Sequence, residues 1–379
     1  MVSCITQAWK KLYAASFVLL LSACASPGHG TPEAPDHHQL ELALSGELIL
    51  GRHWQSQDLP DLDLFELRPD MKTFAEHAVA RTSGRYQRAQ ALHQALLLPT
   101  DRGGRGLTYS AFLTNTPQQA FDTGQVNCVS FTFLYVAMAR HLGLDARVNE
   151  VDIPPSWDLR EREAFLFLRH VNAKIRLGIN DYLVLDLEME RYSPAFAQRL
   201  ISENRAAAQF YNNRGMELLV DKQLESSFLY LRKALQLDDQ QSYIWSNLGT
   251  FYRRQGLFSL AEAAYLKGLR LQPNDLTIIS NLSGLYRMMG REQQAQDYFQ
   301  RAEKHRAGNP YYLFSLAREA LDAGKPEEAL QLLQKPLREH RKEPRFFELA
   351  AEVYNSLGNK LQARRMAEQA ERLRVNFLQ

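Results

Sequence analysis

The chain has 379 residues, 45% of them hydrophobic and 23% charged, an ordinary globular composition with length for two or three domains, which excludes disorder throughout and a multi-span membrane protein. Lys and Arg number 45 against 43 Asp and Glu. The two basic residues before position 24, Lys10 and Lys11, sit in a segment that reads as removable, so the rest of the chain is balanced and a nucleic-acid role, which rests on excess Lys and Arg, is disfavoured.

The N-terminus carries a compartment signal. Lys10-Lys11 is followed by the apolar stretch Leu12 to Leu21 and then Ser22-Ala23-Cys24, the basic, hydrophobic and small-residue order of an export signal. About ten apolar residues cannot span a bilayer core of about 30 Å. Leu21-Ser22-Ala23-Cys24 closely resembles a bacterial lipobox. That resemblance implies a signal peptide over 1–23 and lipidation of Cys24, and Ala25 in place of Asp resembles the outer-membrane sorting pattern of enteric-type lipoproteins. The expected location is the cell envelope, lipid-anchored to the outer membrane and facing the periplasm.

Residues 24–39 after the cysteine are rich in Pro, Gly and polar side chains without an apolar period, and read as a tether that would reach about 45 Å fully extended. His37-His38 within it lacks further ligand residues and reads as solvated chain, so no metal is expected there. Helix-like runs around Met71 to Arg81 and Tyr86 to Leu98 most simply form an N-terminal layer packed on the domain that follows, the two together spanning 40–200. Gly103-Gly104-Arg105-Gly106 lacks the Gly-Lys-Ser/Thr of a phosphate loop. The acidic cluster Asp58, Asp61, Asp63 and Glu66 lacks the glycine and terminal glutamate of a calcium loop. No cofactor is expected.

With Cys4 removed and Cys24 lipidated, Cys128 is the one remaining thiol in an oxidising compartment, where it cannot form an intrachain disulfide. Cysteine is commonly a buried small hydrophobe, and its surroundings decide between packing and chemistry. Asp122-Thr-Gly-Gln-Val-Asn-Cys128 leads into a run whose Phe131, Leu134, Tyr135, Met138 and Leu142 fall at helical spacing, with Gly143 as the stop. Asn127 is the expected N-cap, which places Cys128 in the first turn of a mostly apolar helix. The positive end of the helix dipole favours thiolate there and prepares a nucleophile. Gln125 either lends an oxyanion-hole amide beside the Cys128 backbone N–H or is a surface glutamine. His141 lies about 20 Å along the helix from Cys128 and reads as a C-terminal helix charge.

Ala164 to Arg176 and Asp181 to Glu188 are strand-like runs joined by Leu177-Gly-Ile-Asn180. A hairpin centred near Gly178 sets His170 opposite Asp186, and a shift of the centre by a whole residue keeps both on one face, whereas a four-residue loop separates them. On one face, Cys128, His170 and Asp186 supply nucleophile, general base and the carboxylate that orients the imidazole.

Asn127-Cys128, Leu142-Gly143-Leu144-Asp145-Ala146-Arg147, His170-Val171 and Leu185-Asp186 together resemble the transglutaminase-like cysteine hydrolase superfamily. The likeness covers about 110–190 and implies an α+β, papain-like fold with a Cys-His-Asp triad. Two departures touch the rim of the site: Val126 stands where many members have Gly, and Leu187-Glu188 replaces the usual Pro-Thr after the Asp.

The C-terminal half is repetitive. Gly215, Gly249 and Ser283 are spaced 34 residues apart, and the register recurs at Ala317 and Ala351 over five units, 208–377. Trp245, Leu248, Gly249, Tyr252, Ala261, Tyr265 and Pro273 resemble the tetratricopeptide pattern, which implies an all-α solenoid whose concave face binds a protein or peptide. Ala295, Ala329 and Ala363 repeat the small residue where two helices touch, and Pro336 is expected to kink or end its helix. Asn213, Asn247 and Asn281 recur at one repeat position. Their amides either form a ladder for an extended peptide backbone, as the resemblance to some tetratricopeptide glycosyltransferases implies, or are ordinary repeat residues. Arg253, Arg254 and Arg287 either favour an acidic peptide or form a solvated face.

Three readings remain: a lipid-anchored thiol hydrolase or acyltransferase whose repeats present the substrate, a non-catalytic adaptor with a relic thiol domain, and an envelope scaffold. The intact Cys-His-Asp order favours the first. Hydrolysis and transamidation share a thioester and are not separated at this level.

Overall fold

The computed structural model describes residues 34–111, 113–152, 156–157, 165–166, 169–187 and 196–375. The expected signal peptide, Cys24 and the first part of the tether lie outside them, as does Glu188. No described helix is long and apolar enough to cross a membrane.

In chain order, helices α1 (His37–Ser45), α2 (Glu47–Leu50), α3 (Pro69–Val79) and α4 (Arg85–Leu97) precede strand β1 (Thr108–Tyr109), helix α5 (Pro117–Thr123) and strand β2 (Gln125–Val126). Helix α6 (Cys128–His141), strand β3 (Ala146–Asp152), the short β4 (Ser156–Trp157) and β5 (Phe165–Leu166), then β6 (Arg169–Arg176), β7 (Tyr182–Leu185) and β8 (Gln198–Leu200) follow. The remainder is helical, in pairs: α7 (Glu203–Val220) with α8 (Leu224–Leu237), α9 (Ser242–Arg254) with α10 (Phe258–Leu271), α11 (Leu276–Met288) with α12 (Glu292–Gly308), α13 (Pro310–Asp322) with α14 (Pro326–Glu339), and α15 (Pro344–Ser356) with α16 (Lys360–Val375).

Helix α6 is the centre of the α+β unit. Its side chains from Val129 to Ala139 are all buried, which a helix apolar around its whole circumference requires. One side meets the antiparallel sheet β7-β6-β3-β8, and the others meet α3, α4, α5 and α7. Gly143, at φ 74°, turns the chain out of α6 toward β3, a left-handed conformation that glycine adopts without steric cost.

The helix pairs are held by the small residues of the repeat. A Cβ added at Gly249 would lie 2.5 Å from Tyr265 Cδ1, so the close approach of α9 to α10 depends on that missing atom. Ala261, Ala295, Ala329 and Ala363 are all buried at the matching position. Helix α14 continues through Pro336 and ends one turn later at Glu339. Proline there removes the one hydrogen bond that would reach the Leu332 carbonyl, and the helix closes within the next turn.

The N-terminal segment differs from the expected arrangement. Asp36 Oδ1 accepts the Gln39 N–H at 3.1 Å, an N-cap that starts α1 at His37, so His37, His38 and Gln39 of the expected tether form a first helical turn. Helices α3 and α4 pack on α6, but α1 packs on α10 and α2 on α8. Tyr252 Oη donates to Ala43 O at 2.6 Å, and the Arg232 guanidinium lies 4.7 Å from the Trp54 ring centroid. Leu62 N–H donates to Tyr211 Oη at 2.9 Å. The first part of the expected layer is therefore a strap along the repeats, because its apolar residues fall on α1 and the second helices of pairs one and two offer the matching surface.

Other contacts join the two halves. Glu150 on β3, 2% exposed, accepts from Arg199 Nε and from Arg205 Nη2, each at 2.7 Å, tying the sheet to α7. β4 touches α13, and the Arg345 guanidinium lies 5.3 Å from the ring of Phe196. One apolar core runs from α1 and α3 through α6 and the first three helix pairs, and a second lies among α13 to α16.

Candidate active site

Cys128 is the first residue of α6. Asn127 Oδ1 accepts the Ser130 N–H at 2.9 Å, and Asn127 Nδ2 donates to Thr114 Oγ1 at 2.7 Å, so the cap is itself held by the preceding loop. The Cys128 sulfur stands at the positive end of the helix dipole, half-buried. Thr132 Oγ1 lies 2.7 Å from Cys128 O and 3.2 Å from Val171 O. This hydroxyl bridges the first turn of α6 and β6, next to His170.

The β6–β7 register pairs Arg176 with Tyr182 and Ala173 with Leu185. The hairpin is thus centred on Ile179, a whole residue beyond Gly178, and the connecting loop has an odd length. Continuing the register by one step sets Asp186 across from Asn172, and the two-residue period keeps His170 on that face. His170 Nε2 is hydrogen-bonded to Asp186 Oδ2, and Cys128 lies near enough to act on the charge of the His170 ring. Asp186 is 1% exposed and His170 12%. Cys128, His170 and Asp186 therefore stand in line.

The charge state of His170 is the outcome of opposed effects. Burial disfavours the imidazolium, but hydrogen bonds to Asp186 and Cys128 favour it and prevail, and the pKa is pushed up to about 10. The arrangement is that of an imidazolium between a carboxylate and a sulfur.

Behind the triad lies an amide relay. Asn172 Nδ2 donates to Asp186 Oδ2 at 3.1 Å, Asn149 Nδ2 to Asn172 Oδ1 at 2.9 Å, and Asn149 Nδ2 also to Gln198 Oε1 at 3.1 Å. From the other side, His93 Nε2 meets Asp186 O at 2.7 Å. Burial holds the His93 pKa below the ordinary value against that hydrogen bond, so the neutral ring donates to the carbonyl and pins the end of β7. None of Asn149, Asn172, Thr132 and His93 was singled out in the sequence. Asn172 could have been, since it follows His170 by one strand period, whereas His93 and Asn149 belong to separate elements whose approach no local pattern reveals.

Cys128 opens into a groove of about 510 Å³ whose described lining includes Tyr109, Asn127 and Asp152 from the α+β unit and Asn212, Asn213, Tyr243 and Asn247 from the inner helices of the repeats. Asn247 Nδ2 donates to Asn212 Oδ1 at 2.9 Å, and Asn212 Nδ2 to Asn213 Oδ1 at 3.3 Å. Asn281 Nδ2 reaches Ser246 Oγ at 3.5 Å and is outside the lining. Among the three repeated asparagines, two face the groove, and they are linked through Asn212 because adjacent inner helices bring these positions within one amide's reach.

The other sequence candidates lie elsewhere. Gln125 is exposed on β2, where its backbone O accepts from Asn115 Nδ2 at 3.0 Å, and it does not line the groove. On β2 it pairs with Thr108. Arg253 and Arg287 are likewise absent from the lining, the first half-buried near Tyr265 and the second exposed. Val126 is fully buried. His141 meets Glu76 at 2.8 Å at the far end of α6. Among the described residues, no group of three or more His, Cys, Asp or Glu is arranged to hold a metal ion.

Residues 72–182 match the model of the transglutaminase-like superfamily, and 240–308 match that of the tetratricopeptide repeat. The chain joins a transglutaminase-like domain to tetratricopeptide repeats. The transglutaminase-like match includes Cys128 and His170 and ends just before Asp186. The tetratricopeptide repeat-containing protein trd-1 of Caenorhabditis elegans is 28% identical over 131 residues, 35% of this chain, and the chain spans only 17% of that protein's length. Among solved structures, Pseudomonas aeruginosa pilF is 20% identical, with a TM-score of 0.27, over 45% of this chain and 78% of that one. YrrB, described as a TPR protein with an unusual peptide-binding site, is 20% identical, with a TM-score of 0.25, over 45% of this chain and 88% of that one.

Proposed function

We propose that this protein is a lipid-anchored envelope enzyme in which Cys128 attacks an acyl or amide carbon of a polypeptide segment held against the repeats. One observation carries the reading: Cys128, which acts on the His170 ring, lines the same groove as Asn213 and Asn247. A relic domain on a scaffold has no need for its cysteine to open onto the binding face of the repeats.

The chemistry follows from the geometry. Cys128 Sγ as thiolate adds to the substrate carbonyl, and the oxyanion that forms is met by the Cys128 backbone N–H, which has no helical partner at this first position. The C–N bond breaks as the His170 imidazolium gives its proton to the leaving nitrogen, and a thioester remains on Cys128. Water or an amine then attacks the thioester, His170 takes its proton, and the thiolate is restored. Asp186 holds the ring throughout and stays ionised. Asn213 and Asn247 offer amides to the backbone of the bound segment.

The test measures Cys128 alkylation by iodoacetamide at pH 6 to 7. The wild type should react as a preformed thiolate, and His170→Ala should be slower by about tenfold or more. Equal rates would make Cys128 a packing residue and end the enzymatic reading. In cells, Cys128→Ala should prolong crosslinking to the substrate, and Asn213→Ala with Asn247→Ala should weaken that capture. Cys24→Ser should release the protein from the detergent phase.

A further inference from the structure

The end of the α+β unit remote from Cys128 carries an exposed apolar tip among cations. Helix α6 runs about 20 Å from Cys128 to His141, and β6 runs about 20 Å from His170 to Arg176. The turn between α3 and α4, the end of α6, the start of β3 and the β6–β7 loop meet at that end. His141 bonds to Glu76 of α3 at 2.8 Å, the Arg176 N–H donates to Asp145 O at 2.9 Å, and Arg85 Nη1 donates to Leu177 O at 3.1 Å. Ile179, at the tip of the hairpin, is 84% exposed, and Tyr182 at the start of β7 and Tyr86 at the start of α4 are exposed as well. Lys174 Nζ lies 5.1 Å from the Tyr182 ring centroid, and Arg147 stands across from Lys174 on β3. Arg81, Arg85, Arg88, Lys174 and Arg176 make no ion pair among the described residues. Of the carboxylates at this end, Glu76 is held by His141 and Asp145 by Arg147, at 2.8 and 3.1 Å. Asp181 is exposed in the loop, and the cations outnumber it.

We infer that this end is a membrane-contact surface for an anionic phospholipid bilayer, with Ile179, Tyr86 and Tyr182 entering the headgroup layer and Arg85, Lys174 and Arg176 set against the phosphates. The inference rests on the lipid anchor proposed at Cys24, which keeps a bilayer within reach, and goes beyond it. The anchor limits a distance, whereas the basic end fixes which way the molecule faces. An aliphatic side chain held out on a hairpin loop leaves water when it enters the boundary between headgroups and acyl chains. Tyrosine suits the same boundary, since its ring is apolar and its hydroxyl stays wet. Long cationic side chains lay their stems along apolar surface and put their charge at the phosphates, and each such cation near an anionic surface favours binding by about fivefold. An acidic protein would answer the cations but gives no account of a lone Ile179 at the tip. With this end on the bilayer, the mouth of the groove at the opposite end of α6 is turned away from the lipid and open to a polypeptide.

The test uses vesicles and a protein without its acyl chain, so that the surface is read apart from the anchor. Residues 24–379 carrying Cys24→Ser keep every described residue. They are mixed at low salt with vesicles of equimolar phosphatidylethanolamine and phosphatidylglycerol, with vesicles of phosphatidylcholine, and with labelled polyglutamate; binding is read by sedimentation for the vesicles and by anisotropy for the polymer. Binding to the anionic vesicles should exceed that to the neutral ones by about tenfold or more, and the gap should shrink in high salt. Ile179→Asp should lower anionic-vesicle binding by about tenfold, and Arg85→Gln with Lys174→Gln by about twentyfold. Ile179→Asp should melt with the parent protein, because the side chain it replaces is exposed. Equal binding to the two vesicle types, or unchanged binding in either variant, would overturn the inference. Capture of polyglutamate without binding to vesicles would overturn it too and assign this end to an acidic protein. Failure of the anchor is distinguishable, since it appears as wild-type protein missing from the detergent phase and leaves the vesicle comparisons as they are.

Discussion

Asn172 Nδ2 and Asp186 Oδ2 are 3.1 Å apart across the β6–β7 hairpin, so the carboxylate oxygen that meets His170 also receives an amide donor from the neighbouring strand. Two donors on one oxygen keep that carboxylate aimed at the ring. Asn172→Leu should cost about 1–3 kcal/mol of stability, because Asn149 Nδ2 and Asp186 Oδ2 each lose one buried hydrogen-bond partner. It should also slow Cys128 alkylation at neutral pH, because Asp186 loses a donor that aims it at His170. A thermal melt and the iodoacetamide rate check both; an unchanged rate with lowered stability would limit Asn172 to a structural role.

The raised pKa of His170 sets a pH window. The folded value is about 10 and the ordinary value about 6.5. A raised value in the folded state means that the stabilisation is fully present below about pH 6.5 and is lost as pH climbs through about 10. The His170 ring should therefore titrate near 10 by NMR, and at lower pH in Cys128→Ala, which lacks the sulfur partner. Wild-type stability should decline over that window more steeply than that of His170→Gln. A ring midpoint near 6.5 would remove the imidazolium.

Glu150 is the ionic joint between the sheet and the repeats. Glu150→Gln leaves Arg199 and Arg205 facing a neutral amide in a buried setting, and breaking such a pair typically costs about 3–5 kcal/mol. Arg199 is 53% exposed and recovers water, so a loss nearer about 2 kcal/mol is expected. The melting temperature should fall, and limited proteolysis should open the chain between β8 and α7. An unchanged melt would mean that apolar packing alone joins the two halves.

At Gly249 the outcome is steric. Gly249→Val puts a branched side chain where even a Cβ comes within 2.5 Å of Tyr265 Cδ1, and overpacking of this kind costs about 1–3 kcal/mol. Gly256→Val serves as the comparison in steric terms, since a Cβ at Gly256 meets nothing within 4 Å, although its φ of 72° adds backbone strain of its own. Crowding at Gly249 should lower the apparent melting temperature and weaken partner capture together, because α9 carries Asn247.

Local chemistry in the chain was enough for several features. The 34-residue period and its small residues follow from helices that must touch every second element, a constraint written at each repeat, as at Gly249 and Ala261. The capped helix that begins at Cys128 is likewise local, since Asn127, the apolar run and Gly143 lie within one stretch of chain. The shared face of His170 and Asp186 needed only an odd loop length, which the residues around Ile179 left open and the register decided. Tertiary structure alone decided the rest. Whether α1 packs on the thiol domain or on α10 depends on which apolar surface is complementary, and amphipathicity does not name its partner. Gln125 and Asn281 carry the right functional groups but stand outside the groove, because exposure is set by the strand pairing of β2 and by the stacking of the repeats. The groove itself joins Cys128 and Asp152 to Asn213 and Asn247, residues of two domains whose meeting is a matter of long-range packing and so has no local signature.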